Sequence, residues 1–161
     1  MSRYLLFTLF LVTALLQTQL PRLTPWGIKP DLVMLAVVSA ALASGLGAGT
    51  AGAALGGIAS DLASALPLGS SVVGLLPVVL LGHLVGKVVM RSNPIAPLAA
   101  AVLGSWSYYA VLFVVMRGMG SAPPLISTVQ DIVLPATALN LLFLIPIYPL
   151  TRWAAGPRGE A

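Results

Sequence analysis

No charged side chain stands between Arg3 and Arg22, between Asp31 and Asp61, between Asp61 and Lys87, between Arg91 and Arg117, or between Asp131 and Arg152. Uncharged stretches of this length do not suit a water-soluble fold, which needs a polar shell over its surface. They suit lipid, where a helix of roughly 20 mostly apolar residues crosses the hydrocarbon layer. Only 7 % of the 161 residues are charged, against about a quarter in soluble domains, and the mean hydropathy is +1.01. The expected class is an all-α integral membrane protein.

Charge, Pro and Gly divide the chain into six expected transmembrane spans, at about 4–20, 30–44, 46–63, 70–87, 94–116 and 131–153, in one polytopic domain covering 1–161. The first stops at Pro21 and Arg22, and Trp26 in the following loop suits the headgroup boundary. Pro30 and Asp31 open the second, Pro fitting a first turn and Asp complementing the helix dipole. Leu66 to Gly69 turn the third span into the fourth, and the fifth starts at Pro94. Ser127 to Gln130 match a capping box ahead of the sixth, in which Pro135, Pro146 and Pro149 predict kinks. The run after the first span, QTQLPRL, lacks a small-x-small cleavage site, so this segment is expected to stay as a helix. Arg3, Lys87, Arg91, Arg152 and Arg158 fall on one side of such a bundle, and Arg22, Lys29 and Arg117 on the other. That bias predicts both termini inside and Asp31, Asp61 and Asp131 near the outer face.

Residues 44–61 read SGLGAGTAGAALGGIASD, six glycines in eighteen residues of the third span. In lipid, helices associate where small residues let backbones approach. At four-residue steps Ser44, Ala48, Gly52, Gly56 and Ser60 form one ridge, and Gly45, Gly49, Ala53, Gly57 and Asp61 form the next. Gly82 and Gly86 repeat the spacing on the fourth span. Two readings stand: these faces pack on one another within the bundle, or one receives another protein's transmembrane helix. Gly-x-x-x-Gly alone does not choose between them.

Chemistry-bearing residues are scarce. There is no Cys, so no disulfide or thiolate metal site, and no run of Lys or Arg forms a nucleic-acid patch. His83 is the one titratable group well inside a span, with no second His, Asp or Glu near it in sequence for a metal. It is expected to pack at the interface. Asp61 either meets a partner's Arg or sits among headgroups, and Asp31 and Asp131 are expected to compensate helix dipoles. Asn140 needs a hydrogen-bond partner on an adjacent helix. No Gly-x-Ser-x-Gly, Ser/His/Asp set or phosphate loop is present. Neither catalysis nor a cofactor is expected.

A first helix ending QTQLPRL, then IKPDLVML, a Gly-rich helix running into SDLASALPLGSS, the turn GHLVGKVVMRSNP and the ending NLLFLIPIYPLTRW together resemble the MreD family of bacterial rod shape-determining proteins. The resemblance spans nearly the whole chain. It implies a small subunit of the cell-elongation machinery in the bacterial inner (cytoplasmic) membrane. Such subunits associate with MreC and, through it, with MreB filaments, RodA and a class B penicillin-binding protein that build peptidoglycan. The resemblance implies no enzyme, and a fold similar to the six-helix substrate-binding subunits of energy-coupling factor transporters. By residue it carries over to Pro30, Asp31, Gly52, Gly56, Asp61, Gly69, Gly82, Gly86 and Pro149.

The shared fold raises one rival, a vitamin-binding subunit of an energy-coupling factor transporter. Those subunits resemble one another in an Ala-x-x-x-Ala patch on the first helix, absent from YLLFTLFLVTALL, and only Trp106, Tyr108, Tyr109 and Asn140 offer pocket groups. The expectation carried forward is a scaffold embedded in membrane lipid. Its small-residue face, Ala48, Gly49, Gly52, Gly56, Asp61, Gly82 and Gly86, serves helix packing and receives the transmembrane helix of MreC.

Overall fold

The computed structural model describes residues 2–19, 28–64, 67–88, 93, 95–121 and 123–155. Pro21, Arg22, Trp26, Leu66, Arg91, Pro94 and Arg158, used in the expectations above, lie outside the described residues, as does the side chain of Arg3. The helices are α1 (Ser2–Gln19), α2 (Leu32–Ser44), α3 (Leu46–Leu62), α4 (Ser70–Val88), α5 (Ile95–Gly118), the short α6 (Leu125–Ser127) and α7 (Leu134–Ala155). A π-helical stretch, Thr128–Val133, joins the last two. Residues Leu125–Ala154 thus run as one rod, giving six helical rods among the described residues.

The rods form a ring around a centre. In spatial order α1, α3, α4, α5 and α7 each touch the next, α7 closes on α1, and α2 touches all five. This explains the residues of α2, in which Leu32 to Leu42 are buried on every side. A helix apolar all round belongs inside other protein. Its 13 residues span only about 20 Å at 1.5 Å per residue, short of a roughly 30 Å hydrocarbon layer. The ring shields it, so it need not match the bilayer. Ser70–Val88, Ile95–Gly118 and Leu125–Ala154 are long and apolar enough to cross a membrane, while Tyr4–Gln17 and Leu32–Ser44 are shorter apolar helices.

One residue, Gly45, turns α2 into α3 at φ +92°, a conformation a side chain would strain. Its N–H donates to Ala41 O at 3.0 Å, closing α2, while its carbonyl accepts from Gly49 N at 3.2 Å.

The small-residue faces are closed by this chain's own helices. A Cβ on Gly52 would run into the Phe10 ring of α1, and one on Gly56 would lie 2.6 Å from Val33 of α2. Gly49 faces Ala41 and Val79, Gly57 the backbone of Val72, Gly82 the carbonyl of Val38, and Gly86 that of Leu42. Ala48, half-buried, packs at the edge of the same core.

The last rod departs from expectation at its start. It begins after Pro124, ahead of the expected 131, and Ser127 caps nothing: its hydroxyl donates back to Pro124 O at 2.9 Å from within the helix. Asp131 consequently lies inside the π stretch, exposed, well past the start of the continuous rod at Leu125. The π stretch precedes Pro135, which has no N–H for the carbonyl four residues back. There the ladder widens, and Leu134 N–H bonds Val129 O, five residues back.

Candidate functional site

Enclosing α2 in a ring creates a problem at its first turn. The opening N–H groups of a helix have no intrahelical acceptor, and here they are enclosed by other helices. The neighbours supply side chains instead. Asn140 of α7 offers Oδ1 to the N–H of Asp31 at 2.8 Å, and Gln17 of α1 offers Oε1 to the N–H of Val33 at 3.0 Å. The Asp31 carboxylate does not cap its own helix. It accepts from Gln17 Nε2 at 2.8 Å on Oδ1 and from the Tyr109 hydroxyl of α5 on Oδ2. Asn140 Nδ2 donates to Ser105 Oγ at 3.0 Å, and Ser105 in turn to Ala101 O at 2.7 Å. Asp31 and Gln17 are 6 % exposed, and Asn140 and Ser105 are fully buried. Side chains from α1 and α5 thus meet at one carboxylate, and a side chain of α7 holds the backbone N–H of the same residue. A buried carboxylate is tolerated only with such partners.

A second carboxylate works nearby. Asp61, 2 % exposed at the end of α3, accepts from Gly69 N at 2.7 Å and Ser71 N at 3.0 Å. It caps α4 from outside. Gly69 starts that helix at φ +97° and has no side chain to cap with, so the preceding helix lends its carboxylate. Asp61 therefore neither awaits a partner's Arg nor rests among headgroups. Tyr108 joins this cluster through Ser71 Oγ at 3.3 Å. Adjacent tyrosines on α5 tie α5 to both carboxylate clusters.

Between the clusters lies a cavity of about 280 Å³. Gln17, Lys29, Asp31, Ser71, Tyr108 and Tyr109 line it with polar atoms, and Ile28, Leu112 and Ile132 with apolar ones. Lys29 is near enough to act electrostatically on Asp31. The cavity opens at the end of the ring where α1 and α3 finish and α2 and α4 begin.

The family model described as rod shape-determining protein MreD matches residues 1–153. The chain belongs to the MreD family. No curated protein and no solved structure matches it. With its membrane-length helices, this MreD-family chain is a membrane protein, a shape-determining structural component with a role in rod shape determination.

Within this MreD-family bundle the structure sorts the residues singled out from sequence. Asn140 and Tyr109 meet at the Asp31 hub, while Trp106 faces outward at 45 % exposure. His83 lies at the opposite end, beside the Gly45 turn. Its Nδ1 and Ser39 Oγ are the buried side-chain polar atoms without a hydrogen bond among the described residues. No three His, Asp or Glu there stand close enough to hold a metal ion. Sequence reasoning missed Gln17, Ser71 and Ser105. Only Gln17 left a signal, a polar amide inside the uncharged first span, and it reads equally well as an interfacial residue.

Proposed function

We propose that this chain is a non-catalytic scaffold subunit of the bacterial cell-elongation complex, binding the transmembrane region of MreC and supporting peptidoglycan synthesis. Through MreC it joins MreB, RodA and a class B penicillin-binding protein. It lies in the inner membrane with both termini cytoplasmic and the Asp31 end outward. Supporting this orientation, Lys87 and Arg152 lie in the last turns of α4 and α7, two helices that run away from the Asp31 end. The proposed kinship with substrate-binding subunits of energy-coupling factor transporters draws on the six-helix count and the polar cavity.

One observation carries the partner assignment. The outward side of α3 bears Gly47, Ala51, Ala54 and Ile58 in one line, all exposed, with Ala48 on its flank. A Cβ on Gly47 would meet nothing within 4 Å. The inward side of α3 holds the bundle, and the outward side lets a partner helix approach the same backbone closely. Replacing Ala51 and Ala54 together with Leu should cut co-purification of MreC about tenfold, with thermal unfolding unchanged. Gly56→Leu should instead cost the folded protein itself. Undiminished MreC recovery with the double Leu variant removes this face.

A further inference from the structure

A second hollow, about 310 Å³, lies between α5 and the π stretch. Its walls are apolar, made by Ala110 and Phe113 on one side, Val129 and Val133 on the other, and the ring of Tyr109. Val114 and Leu125 at its rim are 68 % and 59 % exposed, so it opens sideways to lipid.

Tyr109 lines both hollows. Its hydroxyl reaches Asp31 in the polar cavity, and its ring walls the apolar groove. The same two elements continue the partition, with Leu112 and Ile132 on the polar cavity and their neighbours Phe113 and Val133 on the groove. A polar chamber at the end of the bundle thus shares one aromatic wall with an apolar slot facing the hydrocarbon. That is the division of a lipid into headgroup and chain.

The charges select the headgroup. Among the described residues each Asp31 oxygen accepts one hydrogen bond and retains capacity for another, and a carboxylate offers no donor. The vacant lone pairs call for a donor, best a cation. Lys29, on the same cavity, supplies an ammonium to an anion. A ligand with one positive and one negative group satisfies both.

We propose that the cavity and the groove are two halves of one site for a zwitterionic aminophospholipid, its ammonium on Asp31, its phosphate on Lys29 and one acyl chain along Ala110, Phe113 and Val133. The volume of the polar half suits a compact headgroup of the ethanolamine type. The site is separate from the outward side of α3 and does not depend on the partner assignment.

The test is native mass spectrometry of the full chain released from nanodiscs of equal phosphatidylethanolamine and phosphatidylglycerol content. Wild type should retain one phosphatidylethanolamine with about tenfold preference. Ala110→Trp fills the groove from its lipid side, away from the hydrogen-bonded hub, and should abolish retention with thermal unfolding unchanged. Lys29→Gln should lower retention of phosphatidylethanolamine about tenfold and leave the preference in place, because both lipids carry the phosphate and only one carries the ammonium that Asp31 selects. Equal retention of both lipids by wild type, or undiminished retention by Ala110→Trp, overturns the proposal. Undiminished retention by Lys29→Gln overturns the phosphate assignment.

Discussion

The backbone N–H of Asp31 donates to the side-chain oxygen of Asn140 at 2.8 Å, joining the start of the central helix to the last helix across 109 positions of sequence. Interhelical hydrogen bonds in membrane proteins average about 0.6 kcal/mol, but this acceptor serves a helix-initial donor sealed inside a ring. Asn140→Leu leaves that N–H unpaired, at a cost of about 1–3 kcal/mol. Denaturant-induced unfolding in detergent micelles should show that loss. A change below about 0.5 kcal/mol would mean the N–H finds another acceptor.

The two tyrosines separate a charged acceptor from a neutral one. Tyr109 donates to the Asp31 carboxylate, Tyr108 to the Ser71 hydroxyl at 3.3 Å. Hydrogen bonds to charged groups contribute about 1.5–3 kcal/mol and neutral ones about 0.5–1.5. Tyr109→Phe should therefore destabilise more than Tyr108→Phe in the same unfolding assay. The reverse order would place the dominant tie at Ser71.

Asp61 caps α4 in place of a side chain that Gly69 lacks. Asp61→Ala removes the acceptor for two backbone N–H groups and should lower stability by about 1–2 kcal/mol. Asp61→Asn keeps one oxygen and should recover part of it. Hydrogen exchange offers the local readout: the amides of Gly69 and Ser71 should lose protection first.

The glycines should differ in tolerance to Ala according to what each faces. A Cβ on Gly57 meets Val72 backbone atoms at 2.9 Å, and one on Gly82 meets Val38 O at 2.9 Å. One on Gly52 meets the far end of the Phe10 side chain. Backbone cannot step aside, whereas a ring tip can. Overpacking should cost about 1–3 kcal/mol, with Gly57→Ala and Gly82→Ala at the upper end, Gly52→Ala below them and relieved by Phe10→Leu, and Gly47→Ala neutral. Melting temperatures of the series in one detergent check the order.

The membrane class and the helical form were legible along the chain. Long uncharged runs leave the backbone no partner but itself, and that requirement acts locally. The closeness demanded by glycine was legible too, because spacing at four residues defines a face without reference to a neighbour. Which neighbour fills that face was not. Gly52 and Gly56 read equally well as a dock for another protein, and only the ring shows Phe10 and Val33 already there.

The same division runs through the polar residues. Asp31, Asp61 and Asn140 each stood out as polar groups in apolar surroundings; the sequence neighbours of the two carboxylates suggested helix dipoles and headgroups, while Asn140 called for a partner on an adjacent helix and finds it in Ser105 of α5 and the N–H of Asp31. What decided the roles of Asp31 and Asn140 was the enclosure of α2, and that of Asp61 was the bare start of α4. Burying the first turn of a helix on all sides turns its free N–H groups into a demand on whatever lies across the bundle, and Gln17 and Asn140, 14 and 109 residues from Asp31, meet it. Sequence by itself determined the solvent this chain folds in and the helices it makes, because apolar length and backbone pairing are local quantities. The tertiary structure alone decided which carboxylate became a hub and which became a cap, because an unpaired buried donor has a partner only once the helices have come together.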